Sequence, residues 1–222
     1  DLRSNPTVAL SNPGPLDCRT LNVKINATTK SPNEKISWST KNGNIVGGTS
    51  SHSIIVDKGG KFYIEVEDTI GHCIITDSIS VIEDFNTPVA QINADTIFNC
   101  KDVQKTIDAS GSSNYDNLKF IWSGNGVIDA GHGTNKIIVS SAGTYKLTII
   151  DTTNGCMDTK QITINPDLNI PIAVISKPAV LNCKVTSLQL NSTASSTSGN
   201  TLKYSWTSAQ NHPIGNSNTP TP

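Results

Sequence analysis

Two stretches of the chain alternate apolar and polar residues with a period of two. In residues 143–151, GTYKLTIID, Tyr145, Leu147 and Ile149 fall on one side of an extended backbone while Lys146 and Thr148 fall on the other. In residues 60–68, GKFYIEVED, Phe62, Ile64 and Val66 take the same places. The stretch 143–151 lies in a segment that reads throughout as short strands: PVAQI (A), VQKTIDAS (B), LKFIWSG (C), NGVIDAG (a short C′), NKIIVS (E), GTYKLTIID (F) and CMDTKQITIN (G). Between them stand GSSNYDN, GHGT, SAG and TTNG, which are turn sequences. About seven short strands in roughly 80 residues predict two antiparallel sheets packed face to face.

The pattern is written more than once. Cys18, Cys100 and Cys183 recur at intervals of 82 and 83 residues, and Cys73 and Cys156 at 83. Trp38, Trp122 and Trp206 recur at 84. Every tryptophan and every cysteine falls on this lattice. KINAT (24–28), TIDAS (106–110) and QLNST (189–193) share one slot, and TPVAQI (87–92) matches IPIAVI (170–175). Such a period marks a tandem array. Two full repeats are predicted, 1–84 and 85–167, followed by a partial third, 168–222, that has its first cysteine and its tryptophan but no Gly-x-aromatic strand. That absence fits either an array cut short or a half-domain completed by a strand from another chain.

Composition narrows the class. The 222 residues carry a net charge of −1, so electrostatics give no reason to expect nucleic acid or an anionic membrane as partner. No apolar run approaches the roughly 18–20 residues of a membrane helix, so direct membrane insertion is not expected. The polar opening DLRSNP lacks a signal peptide and predicts a mature or excised segment. β-branched residues outweigh the usual helix formers, giving an all-β chain of immunoglobulin-like sandwiches arranged head to tail. With 5% aromatic residues, the core of each copy leans on Trp38, Trp122 or Trp206, supported by Phe62 and Tyr145. The aromatic at the start of strand F is placed to close the end of the sandwich as a tyrosine corner does, and Asp68 and Asp151 are placed to hold the F–G turn.

The cysteines leave two pairings open. Cys18–Cys73 and Cys100–Cys156 would each close a loop of about 55 residues inside one repeat, stabilising it by about 4 kcal/mol. However, Cys18 and Cys100 precede strand B, whereas Cys73 and Cys156 open strand G. Those positions lie at opposite ends of such a sandwich, about 20 Å apart, and a disulfide needs Cα atoms within about 7 Å. Cys18–Cys156, joining one repeat to the next, is the alternative. Cys183 has no partner of its own repeat in either scheme.

No catalytic constellation emerges. His52, His72, His132 and His212 occupy different repeat positions and form no metal-binding spacing. There is no G-x-S-x-G, and GNGVIDAGHG, lacking a Lys-Ser/Thr and a following helix, reads as a turn. A thin sandwich also offers no cleft for paired carboxylates. The expectation is a non-enzyme without cofactor or metal.

DASGS (108–112), FIWSGNG (120–126), AGTYKLTIID (142–151) and NGC (154–156) carry a resemblance along the whole chain. The chain resembles tandem PKD-type or immunoglobulin-like repeats of bacterial cell-surface proteins, especially the gliding-adhesin-like proteins of Bacteroidetes. The run after the tryptophan, FGDG-like in PKD domains, reads STKNG, SGNG and TSAQN here. The resemblance implies secretion to the cell surface, neighbouring repeats of the same long chain as partners, and service as the stalk of an adhesin or surface filament. A module binding surface glycans or other protein chains through its end loops, with Tyr115 as the loop aromatic, is a second reading. An accessory domain of a secreted hydrolase is a third. Candidate glycosylation positions are Asn26 and Asn191 in N-x-Ser/Thr sequons. Thr69, Ser78, Thr96 and Thr152 stand in Asp-Ser/Thr motifs resembling the O-glycosylation signal of those surface proteins.

Overall fold

A computed structural model describes residues 6–30, 33–193, 195, 201–210 and 214–222. Every regular element among them is a strand. None is a helix long and apolar enough to cross a membrane. The chain separates into two compact units, one made of Asp1–Thr96 with Gln104–Ile164, the other of Ile97–Val103 with Asn165–Pro222.

The first unit holds the first repeat and most of the second. In the first, β1 (Val8–Leu10), β3 (Val23–Thr29), β6 (Ser53–Lys58) and β5 (Asn44–Gly47) form one sheet in the order β1-β3-β6-β5. β4 (Glu34–Lys41), β7 (Gly60–Asp68) and β8 (Ile74–Val81) form the other. Lettered along the chain, these are A-B-E-D and C-F-G, the two sheets of a seven-stranded immunoglobulin sandwich. A short β2 (Leu16–Asp17) runs parallel to β9 (Glu83–Asp84), which continues strand G.

The second repeat builds its sheets from β11 (Lys105–Asp108), β14 (Lys136–Val139) and β13 (Ile128–Ala130) on one side and β12 (Leu118–Gly124), β15 (Gly143–Asp151) and β16 (Met157–Pro166) on the other. Strand A of this repeat shrinks to a bridge, Asn93 to Asp108. The NGVIDAG strand is corrected from C′ to D: β13 pairs with β14, not with β12, so it belongs to the opposite sheet. Strand β10 (Ile97–Phe98) runs parallel to the end of β16, repeating the β2–β9 pairing, with Phe98 opposite Pro166 as Leu16 is opposite Glu83.

Period two becomes burial here. Phe62, Ile64 and Val66 in β7 and Tyr145, Leu147 and Ile149 in β15 are fully enclosed. Trp38 lies opposite Ile64, and Trp122 opposite Leu147. Both tryptophans are buried at equivalent sites. Each indole also keeps its N–H satisfied: Trp38 Nε1 donates to Ser51 O at 2.8 Å and Trp122 Nε1 to Thr134 O at 2.9 Å. A buried indole left without an acceptor would cost more than its apolar burial suggests. The ring of Phe62 presses on Gly43 and that of Tyr145 on Gly126, so closely that a Cβ at either glycine would overlap the ring. Tyr145 Oη donates to Ser141 O at 2.7 Å, four residues upstream, which is the geometry of a tyrosine corner.

The second unit carries the partial repeat. Trp206 Nε1 donates to Thr219 O at 2.8 Å, as the other two indoles do one and two periods earlier. The segment around Leu190 faces Pro220 and Pro222 through backbone bonds, as strand B faces E in the complete copies. Trp206, expected in a core, is only half-buried. It lines a cleft of about 300 Å³ between residues 171–175 and 202–206. Those segments correspond to strands A and C. In the second repeat the matching strand C lies against Tyr145 and Leu147 of strand F. The cleft therefore corresponds to a core position that strand F fills in the second repeat.

Candidate functional site

The described residues contain no group of three or more His, Cys, Asp or Glu side chains able to hold a metal. His212 lies outside the described residues. His52 contacts Glu34 at 2.5 Å, and His72 lies 3.4 Å from Glu67, each on its own surface patch. A disulfide and a set of side-chain hydrogen bonds gather instead where the first repeat meets the second.

Cys18 is bonded to Cys156, with Cα atoms 5.0 Å apart. The predicted within-repeat bridges, Cys18–Cys73 and Cys100–Cys156, are corrected, and strand direction gives the reason. Parallel pairing of β2 with β9 fixes Cys18 beside the end of strand G. Cys73 precedes β8, the beginning of the same strand. Eight residues of strand separate the two positions by about 27 Å, far beyond disulfide reach. Cys73, Cys100 and Cys183 are free.

The turn after β2 sets the sulfur. Asp17 Oδ1 accepts the backbone N–H groups of Arg19 at 2.9 Å and Thr20 at 2.7 Å. Burial alone would raise the Asp17 pKa, but these bonds and the Arg19 charge outweigh it and hold the carboxyl below its ordinary value. Opposite stands the F–G turn, residues 151–156. Asp151 is buried and accepts Thr153 N at 2.8 Å and the Thr153 hydroxyl at 2.5 Å, which keep its pKa low. Asp68 holds the equivalent turn of the first repeat through Ile70 N at 3.0 Å and Gly71 N at 3.2 Å.

Around the disulfide the two turns interlock. Cys18 N donates to Asn154 O at 3.1 Å, and the Arg19 guanidinium donates to Thr153 O. Asn154 is buried and spans the joint: its Nδ2 donates to Asp84 Oδ1 at 3.1 Å and to Asn86 O at 2.9 Å, while its Oδ1 accepts Cys156 N at 2.9 Å. Gly155 has φ of +74°, and a Cβ there would lie 2.4 Å from Arg19 Cγ. Glycine thus meets both the backbone conformation and the close approach of the arginine. Sequence reasoning singled out the cysteines but not Asn154, Gly155 or Arg19. The only signal for Asn154 was the NGC triplet, and its counterpart in the first repeat is Gly71.

Tyr115, set apart as a loop aromatic, stands at this same junction. Its hydroxyl donates to Asp151, and burial, that bond and the Asp84 charge raise its pKa. The candidate glycosylation positions scatter. Asn26 is exposed on β3 beside Ser11, and Asn191 Oδ1 accepts the backbone and hydroxyl of Thr193. Thr69 and Thr152 are exposed, yet their hydroxyls donate to Asn33 O at 3.0 Å and Asn117 O at 2.7 Å, fastening the F–G turn to the B–C loop in both repeats. Ser78 is half-buried on β8 and Thr96 is exposed before β10.

No protein-family model matches the chain, and no curated protein matches it. Among solved structures, the chain is similar to a C-terminal fragment of intimin in complex with the intimin-binding domain of the translocated intimin receptor, at 10% identity over 77% of this chain and 67% of that one, with a TM-score of 0.42. It is also similar to the three N-terminal domains of the bacteriophage RB49 Hoc protein, at 13% identity over 90% of this chain and 74% of that one, TM-score 0.37. Murine CEACAM1b follows at 13% identity over 73% of this chain and 100% of that one, TM-score 0.33. Scores of this size carry no argument of their own, and the immunoglobulin-like assignment rests on the strand order of the two sheets.

Proposed function

We propose that the chain is a stretch of a head-to-tail array of immunoglobulin-like repeats, 1–84, 85–167 and 168–222, that serves as a non-catalytic stalk in a secreted or cell-surface protein. The observation that carries this reading is the covalent staple between successive repeats, Cys18 to Cys156, with Asn154 tying the linker to the turn. A module that only displayed a binding loop would gain nothing from fixing its neighbour's angle. A spacer gains reach and stiffness from it. Both linkers add to this: EDFNTP and NPDLNIP are short and carry proline, which restrains the chain. The stable disulfide suits an oxidising compartment. Partners on this reading are neighbouring repeats, with glycans or other proteins contacted elsewhere along the array.

Small-angle X-ray scattering of the oxidised and the reduced protein tests the proposal. The oxidised chain should scatter as an extended, narrowly distributed particle, and reduction should broaden its distance distribution. A compact particle, or one whose profile does not change on reduction, would sink the stiff-spacer reading.

A further inference from the structure

The two turns joined by Cys18–Cys156 occur again around cysteines that form no disulfide. Asp17-Cys18-Arg19-Thr20 has counterparts in Asn99-Cys100-Lys101-Asp102 and Asn182-Cys183-Lys184-Val185, each an Asp or Asn, a cysteine and a base. The side-chain oxygen of the first residue accepts the N–H two residues on in all three: Arg19 at 2.9 Å, Lys101 at 2.9 Å and Lys184 at 2.9 Å. Around Cys100 the supporting frame is rebuilt as well. β10 pairs with the end of β16 as β2 pairs with β9. The following linker folds on itself in the same way, with Asn169 N on Asp167 Oδ1 as Asn86 N is on Asp84 Oδ1. The opposite face recurs at Cys73. Asp68 N to Cys73 O at 2.9 Å and His72 N to Asp68 O at 2.7 Å copy Asp151 N to Cys156 O at 2.9 Å and Gly155 N to Asp151 O at 2.8 Å. In the joined pair Cys156 is buried, whereas Cys73 is part-exposed, flanked by the exposed Ile70 and Ile74, and Cys100 is exposed.

We propose that the F–G turn around Cys73 and the cysteine turn around Cys100 are the two halves of one head-to-tail docking surface, and that the partner of each is another copy of this repeat, bonded as Cys18 is to Cys156. This rests on the array reading. The pair already formed shows what the contact requires. Besides the sulfurs, the arriving turn donates to two backbone carbonyls, those of Thr153 and Asn154. Ile70 and Gly71 occupy those positions in the first repeat, so both acceptors are present whatever the side chains. One feature differs. His72, with φ of +52°, replaces Gly155 and brings a Cβ where Arg19 packs. The lysine after an arriving cysteine must therefore take a path other than that of Arg19.

Bond formation is a two-electron oxidation of two thiols. With oxidised glutathione as oxidant, one cysteine thiolate attacks the glutathione disulfide and releases one glutathione thiolate. The second cysteine thiolate then attacks the mixed disulfide and releases the other. Two protons leave the cysteines, and two molecules of reduced glutathione are the product.

The test uses the whole 222-residue chain in a glutathione redox buffer near pH 8, where free thiols are partly ionised, followed by mapping of non-reduced peptides. Expected is a ladder of disulfide-linked multimers joined between Cys73 of one chain and Cys100 or Cys183 of another. These mixed pairs should outnumber Cys73–Cys73 and Cys100–Cys100 pairs by about fivefold, as one shared backbone hydrogen bond to the Gly71 carbonyl would allow. Cys73→Ser alone should abolish the mixed ladder, and so should Cys100→Ser with Cys183→Ser. Cys73 is part-exposed and its Sγ donates a long hydrogen bond to Gly71 O at 3.7 Å, so its replacement by serine leaves the fold in place. Predominant like-with-like pairs, or a chain that stays monomeric with its thiols free, would overturn the proposal. An extended scattering profile alongside either result would leave the array reading standing.

Discussion

Replacing Cys18 and Cys156 together with serine removes the staple without leaving a lone thiol at either turn. Its effect follows from where the disulfide acts. If the second repeat unfolds while the first stays folded, β2–β9 pairing still holds Cys18 beside Asp84. The chain free to move then runs from residue 84 to residue 156, and closing a loop of about 72 residues is worth about 4 kcal/mol in the chain-entropy treatment. If the first repeat unfolds alone, the loop runs from residue 18 to residue 84, about 66 residues, and the figure is again about 4 kcal/mol. With both unfolded, the sequence separation of 138 applies, and the stabilisation rises only to about 5 kcal/mol because it grows with the logarithm of loop length. One disulfide should therefore stabilise two domains about equally. The assay is guanidinium denaturation in a background with Cys73, Cys100 and Cys183 also changed to serine. Trp38 and Trp122 fluorescence are read in turn, with the other two indoles, Trp206 among them, replaced by phenylalanine. For a sandwich of about 80 residues the slope is about 2 kcal/mol/M, so each midpoint should fall by about 2 M. A shift confined to one indole, or a shift below about 0.5 M at both, would refute the shared-staple reasoning.

Three further outcomes are expected. Trp122→Ala should cost the second repeat about 3–5 kcal/mol and Trp206→Ala distinctly less, because only the first is enclosed by a complete strand F; calorimetry of the two variants compares them. Tyr145→Phe should cost about 1 kcal/mol through loss of the bond to Ser141 O, read from the denaturation midpoint of the second repeat. The Lys136 side chain and Ser110 bonded to Asp108 lower its pKa to about 2. A depressed carboxylate contributes stability that is complete above its unfolded pKa of about 4 and is lost as pH falls through about 2; the difference in denaturation midpoint between the parent and Asp108→Asn should hold steady near neutrality and shrink over that window.

Sequence periodicity carried a long way towards this fold. The nine-residue alternation of β7 and β15 named the core face residue by residue, and the spacing of the tryptophans marked equivalent strands. Alternation tells which side of a strand is buried but not which sheet it joins, which is why Ile128–Ala130 read as C′ when its hydrogen bonds go to strand E. Pairing of the cysteines was undecided for a related reason. Spacing and predicted strand order put Cys18 and Cys73 at opposite ends of the sandwich, but the parallel β2–β9 pairing that fixes Cys18 beside the end of strand G is a two-residue contact with no periodicity to announce it. Asn154 was illegible because its work is done across the joint, on Asp84 and Asn86, and its counterpart one period earlier is a glycine.

The covalent link between Cys18 and Cys156 also changes the route that tension takes. Pulled from both ends, the chain transmits force from residue 18 through the sulfurs directly into strand G of the second repeat. The 138-residue separation between those cysteines is a slack loop that carries no tension. At about 3.4 Å per residue, some 470 Å of contour is locked away. A reductant would release it, turning an inextensible tether into a compliant one.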